Sequence, residues 1–248
     1  MDKTQAASPP MPANAGRVVA EVRGASKVFQ SGDTKITALH PTDLVLRAGE
    51  LLLIVGPSGS GKTTLLSLLG CVIYPSTGEV IVDGTNVTHL DDRALARLRL
   101  RSIGFVFQSF NLVMPLTAEE NVLMPLQLQG VPADEARDRA AHALQLVNMS
   151  HRRHSLPRQM SGGEQQRIAI ARALVTEPPL MLCDEPTAAL DPKSVDVVMQ
   201  ELRQLAQQGK ALAVVTHDMR LVPFADRVVQ VANGQAQEQL PGADLDHH

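Results

Sequence analysis

Two hydrophobic periods alternate along the chain. Apolar runs of strand length stand at Val18-Val19-Ala20-Glu21-Val22, Asp43-Leu44-Val45-Leu46, Leu51-Leu52-Leu53-Ile54-Val55 and Glu79-Val80-Ile81-Val82. The last runs into Asp83-Gly84, a hairpin signal. These short strands predict a small antiparallel sheet beside a parallel one. From about Asp91 the period becomes helical. Asp91 and Asp92 suit an N-terminal cap, and Arg93, Arg97 and Arg101 fall on one stripe, read as a solvated face. Pro132-Ala133-Asp134-Glu135 opens a further helix, with Leu144 and Val147 on its apolar side. Residues from about 110 to 160 read as helices and loops inserted between strand-rich blocks. Leu180-Met181-Leu182-Cys183 and Ala211-Leu212-Ala213-Val214-Val215 then read as buried parallel strands with helices between them. Arg227-Val228-Val229-Gln230-Val231, followed by Asn233-Gly234, predicts a closing hairpin. Residues 1–15, rich in Pro, Ala and Ser, read as a disordered tail, and 241–248 as a flexible terminus.

Composition narrows the function. The 248 residues carry a formal charge of −3, without the basic excess of a general nucleic-acid binder. One Tyr and no Trp leave few platforms for stacking bases, so no nucleic-acid partner is expected. No apolar run approaches the ~18 residues of a membrane span, and the N-terminus lacks the apolar core of a secretory signal. Cys71 and Cys183 lie in apolar segments, as buried reduced thiols of a cytosolic protein.

Three segments carry chemistry. Gly56-Pro57-Ser58-Gly59-Ser60-Gly61-Lys62-Thr63-Thr64 matches G-x-x-x-x-G-K-[ST], with a strand before it and a helix start after it. Its glycines let backbone N–H groups wrap a phosphate, and the helix N-terminus adds partial positive charge. Lys62 would reach the terminal phosphates and the Thr63 hydroxyl would ligate Mg²⁺. At Asp184-Glu185 a buried strand ends in two carboxylates: Asp184 suits Mg²⁺ through a water, Glu185 an attacking water. Ser161 caps a second helix whose first turn holds Gly162-Gly163, another anion-binding start. A capped helix alone would not need two glycines there. Two phosphate-facing surfaces in one chain suggest that two chains share each nucleotide.

In their order along the chain, these segments and those that follow resemble the ATP-binding subunit of ATP-binding-cassette (ABC) transporters, over about residues 17 to 235. Phe107-Gln108-Ser109 matches the glutamine loop, Met160-Ser161-Gly162-Gly163-Glu164-Gln165 the signature, Ala189-Leu190-Asp191 the loop at the dimer interface, and Thr216-His217-Asp218 the switch histidine. The resemblance implies an α/β fold: a P-loop NTPase (RecA-like) core, a small antiparallel β subdomain, and an α-helical subdomain inserted at about 95–165, within one domain spanning 16–240. It implies two copies closing on two ATP. The loop Gly56, Ser58, Gly59, Ser60, Gly61, Lys62, Thr63 and Thr64 of one copy would hold the phosphates. Ser161, Gly162, Gly163 and Glu164 of the other would complete the pocket, with Asp191 at the interface. Thr63, Gln108 and Asp184 would hold Mg²⁺, Glu185 would be general base, His217 would touch the γ-phosphate, and Phe29 would stack on adenine. Met160 and Glu164 depart from the usual Leu and Gln of the signature, and an acid there faces the partner's ATP with like charge.

Further text, from Leu69-Gly70-Cys71 through Ser76-Thr77-Gly78-Glu79-Val80 to the Ile103–Leu112 stretch, is similar to the lipoprotein-releasing and macrolide-export subgroup and, more distantly, the cell-division one. That implies an ATPase on the cytoplasmic face of the membrane, peripheral through a separate permease. The permease would dock near Phe110–Leu126, where Met114, Pro115, Leu116, Met124 and Pro125 are apolar and adaptable. A regulatory ATPase controlling a cell-wall enzyme through its membrane partner shares the same motifs.

Overall fold

The computed structural model describes residues 16–239; the tails expected at 1–15 and 241–248 lie outside them. Strands β1 (Val18–Ser31), β2 (Thr34–Arg47), β4 (Thr77–Val82) and β5 (Thr85–Asn86) form an antiparallel sheet in the order β2-β1-β4-β5. Strands β3 (Leu51–Val55), β6 (Ile103–Val106), β7 (Leu180–Asp184), β8 (Ala211–Thr216), β9 (Arg227–Ala232) and β10 (Gln235–Gln239) form a second sheet in the order β10-β9-β3-β8-β7-β6. All its pairings are parallel except β9 with β10. The helices are α1 (Lys62–Leu69), α2 (Asp92–Ser102), α3 (Ala118–Gln129), α4 (Ala133–Leu146), α5 (Gly162–Leu174) and α6 (Pro192–Gln207).

Strand β3 shows why its five residues are all apolar. Leu52 and Ile54 join a core shared with the antiparallel sheet, α1 and α2, whereas Leu51, Leu53 and Val55 join a core shared with α3, α4, α5 and α6. A strand buried on both faces needs a continuous apolar run, and β7 and β8 divide their side chains the same way.

The long strands β1 and β2 exceed the short runs that announced them. Their register shifts at several points, including between Val22 and Ala25, so the alternation of two breaks and the sequence pattern fades. Strand β6 was legible only as part of a motif. Its Gly104 lets the backbone of α5 approach, since a Cβ there would lie 2.4 Å from the Ala173 carbonyl oxygen. Leu95 and Leu98 of α2 pack into the core with the antiparallel sheet, and β6 pairs with β7. Helices α3, α4 and α5 follow Val106 in the chain.

Parallel pairing brings the C-terminal ends of β3, β6, β7 and β8 to one edge. There, Gly56, Gln108, Asp184-Glu185 and His217 follow their strands, as ligand sites do in open α/β sheets. Cys71 and Cys183 are buried and unpaired, and burial pushes both thiols up to about 12.

Candidate active site

The phosphate loop ends at Gly61, which caps α1 with φ 110 and offers no side-chain hydrogen bond. The first-turn N–H groups of a helix have no intrahelical acceptors, so these remain for a ligand. No acidic side chain stands in that turn. Lys62 is 6% exposed, and its Nζ donates to the carbonyls of Gly56 and Pro57 at 2.8 and 2.9 Å. The ammonium is thus held inside the loop rather than left mobile. Two loop glycines are fixed by packing: a Cβ on Gly56 would lie 2.0 Å from the Val231 carbonyl oxygen, and one on Gly61 2.5 Å from that of Ala38. Gly59, at φ 78 with nothing near its missing Cβ, is needed for backbone conformation alone. The hairpin turn joins in, with Gly234 N–H donating to the Ser60 carbonyl at 2.8 Å. Ser58, Gly59 and Thr63 are exposed, Thr64 is half-buried, and the buried Ser60 hydroxyl has no partner.

Beside the loop, β7 delivers two carboxylates. Burial raises the Asp184 pKa above the ordinary carboxylate value, Glu185 adds to the rise, and nearby Lys62 opposes it. Glu185 adopts φ 47, a costly conformation for a non-glycine residue, and its N–H donates to the Val215 carbonyl at 2.9 Å. The Thr216 hydroxyl donates to one carboxylate oxygen at 3.1 Å, and His217 Nδ1 lies 2.7 Å from the other. An ionised carboxylate only accepts, so Nδ1 carries the hydrogen and Nε2 is left for another group. Thr216, read in the sequence only as part of the histidine motif, gains a role of its own through this bond.

The signature opens α5 with a complete capping box: the Ser161 hydroxyl accepts from Glu164 N–H at 3.3 Å, and the Glu164 carboxylate accepts from Ser161 N–H at 2.8 Å. Arg152 Nε donates to the same carboxylate at 2.8 Å. Ser161 N–H and Arg152 together hold the Glu164 carboxyl below the usual range. The acid expected to face the partner's ATP is thus paired within its own chain. Gly163 also has a second reason to be glycine, because a Cβ would meet the Ser194 hydroxyl at 2.7 Å. Its presence is therefore not evidence for phosphate alone. Asp191 caps α6, accepting from Lys193 and Ser194 N–H, both at 3.1 Å, and from the Ser194 hydroxyl. Its carboxylate is committed within the chain, where it sets Ser194 against the signature. Arg152 and Ser194 were not legible as site residues.

Gln108 is exposed just beyond β6. The Phe29 ring is also exposed, at 42%, with Lys27 Nζ 5.1 Å from its centroid. It is therefore not a core residue. An apolar groove of about 700 Å³ lies between α2, β6 and α3, lined among others by Val72, Leu100, Phe105, Phe107, Pro125 and Leu128. Phe105 and Phe107 stack at 5.5 Å. Of the stretch Phe110–Leu126, Asn111 and Pro125 line the groove, whereas Ala118, Val122 and Leu126 are core. Among the described residues no helix is long and apolar enough to cross a membrane.

Comparison with known proteins meets this geometry. Residues 39–188 match the family described as ABC transporter. An uncharacterised ABC transporter ATP-binding protein of Thermotoga maritima is 45% identical over 211 residues, covering 85% of this chain and 90% of that one. A macrolide export ATP-binding/permease protein MacB of Aeromonas hydrophila is 43% identical over 88% of this chain, which spans only 34% of that longer protein. The dimeric post-hydrolysis structure of an ATP-binding cassette with bound ADP and Pi, from a Methanocaldococcus jannaschii relative, superposes with a TM-score of 0.81 at 40% identity, covering 89% of this chain and 97% of that one. The chain belongs to the ABC transporter family, as one of its ATP-binding, ATP-hydrolysing subunits.

Proposed function

We propose that two copies of this chain close on two ATP molecules and drive a separate membrane permease of the macrolide-export or lipoprotein-release type. The observation that carries the chemistry is Glu185, fixed through Thr216 and His217 at the end of β7, beside the Lys62 loop. In each site the loop of one copy, from Gly56 to Thr64, holds the phosphates. Ser161 and the amides of Gly162 and Gly163 from the other copy cover the γ-phosphate. Glu185 takes a proton from water as the water oxygen bonds to the γ-phosphorus. The bond to the β-phosphate oxygen breaks, giving ADP and inorganic phosphate. His217 Nε2 faces the γ-phosphate, and Phe29 stacks on the base.

Thr63, Gln108 and Asp184 each offer a side-chain oxygen, the donor type Mg²⁺ prefers, and would hold that ion. Among the described residues no three His, Cys, Asp or Glu side chains cluster as a metal cage. When bound, Mg²⁺ would neutralise charge on the phosphates.

The dimeric state of the archaeal relative supports the two-copy arrangement. The MacB relatives join such a cassette to a permease in one chain, which supports a permease partner here. The groove beside Phe105 and Leu128 is its dock, on the cytoplasmic side.

A Glu185→Gln protein tests the core of this reading. Hydrolysis should fall by at least about 100-fold, the size of a general-base contribution. ATP should convert the same protein to a dimer, read by light scattering. Wild-type phosphate release would overturn the assignment of Glu185.

A further inference from the structure

The loop that follows Gln108 is held in an unfavourable shape, and one side chain holds it. Phe110 and Asn111 are consecutive non-glycine residues with φ 59 and 49. Asparagine tolerates the left-handed region, but phenylalanine does so at a cost. Arg172, in the last turn of α5, donates from Nη2 to the Phe110 carbonyl at 2.7 Å and from Nη1 to the Asn111 carbonyl at 2.6 Å. The rigid fork of a guanidinium suits two neighbouring acceptors and fixes the angle between them. The Phe110 ring runs the other way along α5, and its edge lies 3.8 Å from where a Cβ on Gly162 would stand. Arg172 and Asn111 also form part of the apolar groove wall.

One short segment is therefore tied at both ends of the signature helix and to the groove floor. We propose that Arg172 is a positioning residue that locks the segment after Gln108 to α5, so that the glutamine loop, the signature and the groove move as one body. This rests on the two-copy reading above, in which Gln108 meets this chain's own nucleotide and Ser161 meets the partner's. Arg172 touches neither nucleotide. Its loss should therefore leave ATP binding to one chain intact and impair closure between two.

The experiment uses the full chain with Glu185→Gln as parent, measuring ATP binding by equilibrium dialysis below the dimerisation concentration and ATP-driven dimerisation by sedimentation. Arg172→Met should bind ATP within about twofold of the parent and dimerise at least about tenfold more weakly, a tenfold change being one step of 1.4 kcal/mol. Arg172→Lys keeps the charge but not the fork, and should fall between the two. It also serves if Arg172→Met does not melt cooperatively. A merely structural role would lower binding, melting temperature and dimerisation together, which overturns the proposal. So does an Arg172→Met, or failing that an Arg172→Lys, protein that dimerises like the parent. A parent that binds ATP yet stays monomeric overturns the two-copy reading, and this inference with it.

Discussion

Two helix N-termini are proposed to bind phosphate in this subunit, and they are finished in opposite ways. Helix α1 begins at a left-handed glycine with no side-chain cap, no acid in its first turn, and a buried lysine beside it. Helix α5 begins at a serine with a full capping box, whose glutamate is paired with Arg152. The first start leaves its donors unsatisfied and adds a cation, so it attracts phosphate by itself. The second spends part of its donor set on its own side chains and adds an acid, so it is stable empty. In the proposed two-copy site, binding strength belongs to α1, and α5 completes a site that another copy has already filled.

Breaking α1 should have the largest effect. Lys62→Ala removes an ammonium and frees the Gly56 and Pro57 carbonyls it holds. A charged hydrogen-bonding group of this kind is worth about 3 kcal/mol, so ATP affinity of the isolated chain should fall by roughly 100-fold. Affinity within a few-fold of wild type would show that the loop amides suffice.

The surroundings of α5 are also the softer ones. Glu201 of α6 is 8% exposed and neither carboxylate oxygen has a partner, while Gln166 of α5 is buried and unpartnered too. Burial pushes the Glu201 carboxyl up to about 7 from 4.5, with Arg167 opposing. A raised folded pKa means that the folded state holds its proton more tightly. The favourable contribution is full below pH 4.5, fades as pH rises, and is gone above about 7. Glu201→Gln should flatten that slope and stabilise the protein by about 2 kcal/mol at pH 8. Chemical melts at pH 4.5 and 8 decide it, and an unchanged slope would mean that Glu201 is solvated.

Ser161→Ala touches α5 alone. Loss of an N-cap costs about 1 kcal/mol of stability. In the two-copy site it also removes a hydroxyl from the γ-phosphate. ATP-driven dimerisation of the Glu185→Gln protein should weaken about tenfold, with ATP binding to the single chain unmoved. Weakened single-chain binding would place the signature in the chain's own site.

The asymmetry between the two starts was half legible in the sequence. Gly56–Thr64 and Ser161–Glu164 are contiguous, and local geometry makes local chemistry readable. The strands flanking them announced themselves by continuous apolar runs, since β3 and β8 are buried on both faces. What stayed hidden acts across the fold. Gly56 and Gly61 answer to carbonyls at Val231 and Ala38, and Gly163 answers to Ser194. Arg152 and Arg172 sit among unremarkable arginines until tertiary structure sets a carboxylate or two carbonyls before them. The groove draws on Val72, Leu100, Phe105 and Leu128, which no spacing rule connects. Glu164 is a different case. A glutamate three residues after Ser161 is the capping-box spacing, a purely local pattern that the sequence carries in full.

Glu164→Gln therefore separates the two views of α5 with the smallest change. Glutamine can serve at the third position of a capping box, so the helix start should persist. What is lost is the pair with Arg152, whose side chain is 39% exposed against 15% for Glu164. A pair this open to solvent is worth under about 1 kcal/mol, so stability should scarcely move. If Arg152 and the Ser161 amide already neutralise the acid, removing its charge gives the partner's ATP little relief, and dimerisation should change by less than about twofold. A gain of about tenfold would mean that the carboxylate still repels the γ-phosphate through its partners. The signature would then be a site held deliberately weak, and the contrast with α1 would be one of opposing charge as well as of capping.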